Sequence, residues 1–245
     1  MKMILNSKYF LTIILLLVNS NVFAKVIRDT IIVNFDTTVI CSAYAKTGYL
    51  RDVYSKKSGK FHGKFTSWYK NGNIKSISTY KNGKSIDTSF SYYESGKIES
   101  ISPYTGVNIV LFENGDTSGI GNLKKGKHIG EYKSWWKKGT PKNITRYSSS
   151  GEKHGLCESW FENGNRKDSV VYDNGVSVSS RYYYKTGKIR YTEKYRGDLI
   201  IQGVYYDPKG KIVSKVKNGN GVATIFDEDG SNQDKYNLKA GKRVD

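Results

Sequence analysis

Proline, histidine and cysteine are scarce in this chain: three, three and two in 245 residues. With so little proline, few backbone N–H groups are lost to a β-ladder, so long sheets are open to the chain. Three His and two Cys fall short of the clustered Cys and His ligands of a structural zinc site unless they converge in space. Two Cys also exclude a disulfide-dense scaffold. After residue 24 no apolar run approaches the roughly 20 residues of a membrane-spanning helix. Nor does any stretch there hold a 3.6-residue apolar period long enough for a helix.

What the chain does have is tyrosine, glycine and positive charge. Twenty Tyr stand against nine Phe, beside 25 Gly and 40 Lys plus Arg against 22 acids, a net charge of +18. Amphipathic rings suit half-exposed strands, where one side packs and the hydroxyl stays wet. The clearest stretch is Gly59 to Lys84, with Trp68-Tyr69-Lys70-Asn71-Gly72 followed by Tyr80-Lys81-Asn82-Gly83-Lys84. Asn-Gly between alternating runs predicts two-residue type I′ hairpin turns, whose central residues both need positive φ. The intervening Ile74–Tyr80 is rich in Ile, Ser, Thr and Tyr and predicts a strand.

The unit repeats. Turn glycines preceded by an aromatic recur at Gly48, Gly72, Gly96, Gly115, Gly139, Gly164, Gly187, Gly210 and Gly230, at intervals of 24, 24, 19, 24, 25, 23, 23 and 20. A second turn interleaves at Gly83, Gly126, Gly151, Gly175, Gly197, Gly219 and Gly241. A fixed period of this length marks a repeat architecture. The fold expected is all-β: an elongated, twisted antiparallel sheet, solenoid-like, of about nine β-hairpin repeats over residues 42–245. Residues 25–41 read as one or two strands covering the first repeat, as stacked arrays require.

Residues 1–24 read as a cleavable signal peptide: basic Lys2 and Lys8, the apolar Tyr9–Val18, then a polar stretch ending Val22-Phe23-Ala24. Export to the periplasm, outer envelope or extracellular space follows as an expectation. Removal of that segment takes two lysines and no acids, so +18 becomes +16. Such a balance favours anionic partners. Cys41 and Cys157 fall in the first and sixth units, tens of ångströms apart at roughly 4.8 Å per strand, so no disulfide is expected between them.

The recurring G-K-x-x-G, aromatic pair, x-N-G turn, polar strand and Y-x-N-G-K, best seen in Gly59–Lys84 and Gly151–Gly175, resembles the bacterial variant of the MORN repeat, found in YwqK-type antitoxin-like proteins. The resemblance covers roughly Ser42 to Lys242. It implies successive hairpins in one elongated sheet, with no chemistry attached.

The residues themselves point away from catalysis. His62, His128 and His154 occupy equivalent repeat positions and are spread along the sheet. Gly121–His128 lacks the Ser or Thr of a phosphate-cradling loop and the helix that must follow. Asp227-Glu228-Asp229-Gly230 would put Ile225 at the first position of a calcium loop. No metal, cofactor or catalytic residue is assigned. The aromatic pairs Trp68-Tyr69, Tyr92-Tyr93, Trp135-Trp136, Trp160-Phe161, Tyr183-Tyr184 and Tyr205-Tyr206 place one ring on each face of a strand. The more exposed ladder, interleaved with Lys and Arg, is the candidate binding surface. The expected role is a non-catalytic protein-binding or scaffold module, antitoxin- or immunity-like. Electrostatic binding of anionic lipid or polysaccharide is the alternative, and export argues against nucleic acid.

Overall fold

The structure, a computed structural model, describes the backbone of residues 26–34, 37–44 and 49–244 and the side chains of residues 50–244. Residues 1–24, read above as a signal peptide, Gly48 and the Cys41 side chain lie outside the described residues. The described residues are strands and turns with no helix, so no helix among them is long and apolar enough to cross a membrane. The chain divides into two units, residues 1–97 and 98–245.

In the first unit the strands are β1 (Val26–Asn34), β2 (Thr37–Tyr44), β3 (Tyr49–Lys57), β4 (Lys60–Trp68), β5 (Ile74–Lys81), β6 (Lys84–Ser85) and β7 (Ser89–Tyr92). Each pairs antiparallel with the next from β1 to β5, and both β6 and β7 pair with β5. The segment expected to supply one or two covering strands thus supplies β1 and most of β2.

The second unit holds β8 (Ile98–Ser102), β9 (Gly106–Leu111), β10 (Thr117–Lys124), β11 (Lys127–Trp135), β12 (Pro141–Tyr147), β13 (Gly155–Trp160) and β14 (Arg166–Asp173). It continues with β15 (Val176–Tyr183), β16 (Ile189–Arg196), β17 (Leu199–Tyr206), β18 (Ile212–Lys217), β19 (Asn220–Phe226), β20 (Gln233–Lys239) and β21 (Lys242–Val244). Every strand pairs antiparallel with its sequence neighbour, a simple meander.

Two kinds of turn alternate, which corrects the expectation that both are type I′. At the second turn Asn82 and Gly83 both have positive φ (53° and 80°), as do Asn174 and Gly175 and Asn218 and Gly219, the signature of type I′. At the first turn only the glycine does. Gly72 N–H donates to Tyr69 O at 3.1 Å and Tyr69 N–H to Asn73 O at 2.8 Å, closing a three-residue loop whose glycine forms a bulge. The same pair of bonds recurs with loop openers Tyr93, Phe112, Trp136, Phe161, Tyr184 and Asp207, and the loop opened by Asp227 is one residue longer, closing on Asn232 O. Gly151 closes a loop of this first kind as well, although its place in the series is that of a second turn.

The bulge shifts register by one residue just before each loop, between Ser67 and Trp68, Ser134 and Trp135, Ser159 and Trp160, and Tyr182 and Tyr183. It also adds twist, which leans each loop toward its neighbour. Hydrogen bonding identifies Asp207 and Asp227, rather than the preceding Tyr206 and Phe226, as the loop openers of the last two repeats.

Burial is uneven. The core of the second unit is Tyr205, Val216, Ala223 and Leu238, with Tyr191, Ile200, Ile225 and Tyr236 packed on it. It forms because β19 curls back to touch β16 and β17, strands it does not pair with. We call the core-bearing side of β12–β20 the inner face and the other side the outer face.

Candidate binding faces of the repeat sheet

Successive repeats are fastened loop to loop, and the aromatic pairs take part. Three loop openers reach the carbonyl just before the opener of the next repeat. Tyr69 Oη donates to Tyr92 O at 2.7 Å, Trp136 Nε1 to Trp160 O at 3.1 Å and Tyr184 Oη to Tyr206 O at 2.6 Å. The loop asparagines reach the carbonyl one residue past the next opener: Asn71 and Asn73 both donate to Glu94 O, and Asn163 and Asn165 both donate to Lys185 O. On the opposite edge, type I′ glycines donate one repeat back, Gly83 to Phe61 O and Gly175 to Lys153 O.

A cation six residues after the opener then lies over its ring: Lys75 over Tyr69 at 5.6 Å, Lys142 over Trp136 at 4.6 Å and Lys167 over Phe161 at 5.5 Å. Tyr184 is buried, with 1% of its surface exposed, and desolvation pushes its hydroxyl up to about 12. Phe161 is buried too, and Tyr93 opens its loop like the others. The second members Tyr69, Tyr93, Trp136, Phe161 and Tyr184 therefore open turn loops, and Tyr69, Trp136 and Tyr184 also fasten them to the next repeat, whereas Tyr206 precedes its opener Asp207.

The first members Trp68, Tyr92, Trp135, Trp160 and Tyr183 are half-buried. Of these, Trp160 and Tyr183 follow inner-face residues by one position and so belong to the outer face. Arg166 lies over Trp160 at 5.5 Å and pairs with Glu158 at 3.0 Å. The turn glycines 72, 96, 115, 139, 164, 187, 210 and 230 all have φ between +79° and +95°.

The outer face of β13–β18 can be read row by row from the register. One row runs Leu156, Val171, Ser179, Lys194, Gln202, Lys217 and the next Glu158, Ser169, Arg181, Thr192, Val204, Lys215. Arg181, Lys194, Lys215 and Lys217 are exposed. Leu156 and Val171 are exposed as well, at 39% and 37%. A shallow concavity of about 510 Å³ lies here, bounded by Leu156, Arg166, Val171, Arg181, Tyr183 and Lys194.

On the inner face one row runs Ser159, Asp168, Tyr182, Tyr191, Tyr205, Ser214. Tyr182 stacks on Tyr191 with ring centroids 4.6 Å apart, and Tyr191 lies 5.9 Å from Tyr205. Beside them Glu193, itself buried, accepts hydrogen bonds from Tyr195 and Tyr205, and Tyr195 also meets Ser180 Oγ at 2.8 Å. Burial and the adjacent carboxylate push the Tyr195 and Tyr205 hydroxyls far above the ordinary phenol range. In the first unit the stacking rings are Tyr54, Phe61, Phe65 and Tyr80. Of these strand-interior rings only Tyr205 belongs to a predicted pair, and it is fully buried. Alternation along the strand was the available signal for Tyr182 and Tyr191, which lie two residues from buried Ser180 and Glu193.

The histidines are separated. His128 stacks on Tyr147 at 5.3 Å, and burial lowers its pKa. His154 lies 3.5 Å from Asp173. No group of three or more His, Cys, Asp or Glu among the described residues could hold a metal ion. Cys157 is a buried free thiol.

These features define an all-β repeat protein built from stacked hairpins. The MORN repeat variant matches residues 61–82, 88–105 and 153–174, so the chain carries such repeats in at least these three places. No curated protein matches the sequence. Two solved structures align over 84% of this chain. One is the Tc holotoxin pore of Photorhabdus luminescens carrying a TccC3 variant, at 11% identity and a TM-score of 0.19. The other is a crystal structure of TcdB2-TccC3, at 10% identity and a TM-score of 0.14. The alignments span 13% and 15% of those chains, and scores this low carry no structural argument.

Proposed function

We propose that this protein is a non-catalytic binding module whose outer face on β13–β18 receives an acidic protein partner. The observation that carries this reading is the composition of that face. Leu156 and Val171, apolar and exposed, lie among Arg166, Arg181 and Lys194 around a shallow concavity. An apolar centre with a charged rim is the anatomy of a protein interface. Binding of anionic lipid or polysaccharide by charge alone would need no apolar centre. With the signal-peptide reading of residues 1–24, the module works in the cell envelope or outside the cell, as an adaptor, immunity or antitoxin-like protein would.

The test is affinity capture from an envelope extract by the mature chain and by a variant carrying Arg181→Glu and Lys194→Glu, washed at low and then high salt. A stoichiometric protein held through the high-salt wash by the native chain and lost by the variant supports the proposal. Retention of only lipid or acidic polymer, all released at high salt, overturns it, because exposed charges are screened at high ionic strength.

A further inference from the structure

A second site lies on the opposite face. On the inner side of β12–β15, before the curled core begins, the sheet leaves a groove of about 380 Å³, lined by Trp136, Lys142, Asn143, Lys153, Asp168 and Tyr182 among others. Register explains why these groups meet. Asn143 pairs with Ser159, Ser159 with Asp168 and Asp168 with Tyr182, so one row of four strands sends polar groups into the groove. Buried Cys157 and Val170 pair in the next row and form its apolar floor.

Its charge is unusual for so confined a space. Three lysines line it, each over an aromatic ring: Lys142 over Trp136, Lys153 over Tyr172 at 5.1 Å and Lys167 over Phe161. Lys167 is neutralised by Glu228 at 2.9 Å. Among the described residues Lys142 and Lys153 have no carboxylate within ion-pair distance. Held against a ring, an ammonium keeps its outward N–H groups for a ligand, so the groove offers two fixed cations. It also offers an acceptor. Asp168 takes one hydrogen bond from Ser159, which leaves its other carboxylate oxygen for a donor.

That combination selects a chemical class. A phosphodiester polymer satisfies the lysines but has no hydroxyl on its phosphates for Asp168, and inorganic phosphate, which can donate a P–OH there, is one small anion that offers its charge at a single point. A ligand with both carboxylates and hydroxyls satisfies all three, with its acids on Lys142 and Lys153 and a hydroxyl donated to Asp168. The volume is at the small end of ligand sites, which run roughly 300–1,000 Å³. We propose that this groove binds a short acidic saccharide of the uronate type, independently of the outer face.

Titration calorimetry on the full mature chain tests this with three probes: trigalacturonate, its methyl ester and inorganic phosphate. Trigalacturonate is expected to bind at least tenfold more tightly than either of the others. Lys142→Gln with Lys153→Gln is expected to weaken it at least tenfold, while Arg181→Glu on the outer face leaves it unchanged. Asp168→Asn supplies a test of sign, because it keeps an acceptor for Ser159 while raising the net charge. If Asp168 accepts a sugar hydroxyl, binding weakens several-fold. If the groove attracts charge only, binding tightens. Absence of binding, equal affinity for the ester or phosphate, or tighter binding by the Asp168 variant each overturns the proposal. The melting temperature of every variant distinguishes a lost ligand contact from a lost fold.

Discussion

Single side chains decide how firmly one repeat holds the next. Tyr184 is buried and its hydroxyl is the donor to Tyr206 O. Tyr184→Phe keeps the packing and orphans that carbonyl, so a loss of about 1–2 kcal/mol is expected by urea denaturation. The tyrosines around Glu193 set a limit at alkaline pH. An unfolded tyrosine ionises near pH 10, whereas burial, with the Glu193 carboxylate, holds Tyr191, Tyr195 and Tyr205 neutral well above that. Their raised values contribute stability that is intact below about pH 10 and is lost as pH climbs toward the folded values. Phenolate absorbance followed from pH 8 to 12, with circular dichroism beside it, should therefore show a late fraction of the twenty tyrosines that ionises only as the sheet unfolds. Ionisation of every tyrosine while the sheet is intact would contradict the buried cluster.

At the level of strands and turns, the two kinds of hairpin differ in what they demand. Gly175 has φ +87° in a type I′ turn, and the nearest atom to an added Cβ would be Glu152 Cβ at 3.9 Å. Gly175→Ala thus isolates the backbone cost of a left-handed residue, about 1–2 kcal/mol, readable as a drop in melting temperature. The Asn-Gly-Asn loop behaves as a pair. Asn163 and Asn165 share the carbonyl of Lys185 at 2.9 and 2.8 Å. Either alanine substitution alone leaves that carbonyl a donor and should cost under about 1 kcal/mol, and the double substitution should exceed the sum of the two. A strictly additive double-mutant cycle would mean that the shared acceptor contributes nothing.

Across the molecule, the curled strands give the second unit a core of its own in Tyr205, Val216, Ala223 and Leu238. A fragment of residues 98–244 should accordingly fold alone, with a sigmoidal thermal transition. A broad, non-cooperative melt would show that the core depends on the rest of the chain. Charge also acts at this scale. The net +16 expected after removal of residues 1–24 should make association with any acidic surface fast at low salt, with rates falling steeply above physiological ionic strength.

Much was legible in the residues alone because it depends on local chemistry. The glycine period, Asn-Gly turns and alternating Tyr, Ile and Ser specify hairpins but not the kind of turn, since Asn82-Gly83 and Asn174-Gly175 form type I′ turns whereas Asn71-Gly72 and Asn163-Gly164 sit in three-residue loops. Alternation likewise puts the two rings of each aromatic pair on different sides. Which ring of a pair is buried was decided only by the tertiary structure. Tyr184 is covered because the next loop leans over it, and Tyr183 is left half-open, though the two side chains are equally apolar. Contacts between successive repeats turned Asn163 and Asn165 into a clamp on Lys185, and the pairing of neighbouring strands gathered Glu193 with Tyr195 and Tyr205 and brought Lys142 and Lys153 to one groove. Local sequence sets turn and strand, which need only neighbouring residues. Burial and charge placement need the bulge-driven twist that stacks one repeat on another, and that twist accumulates only in the assembled sheet.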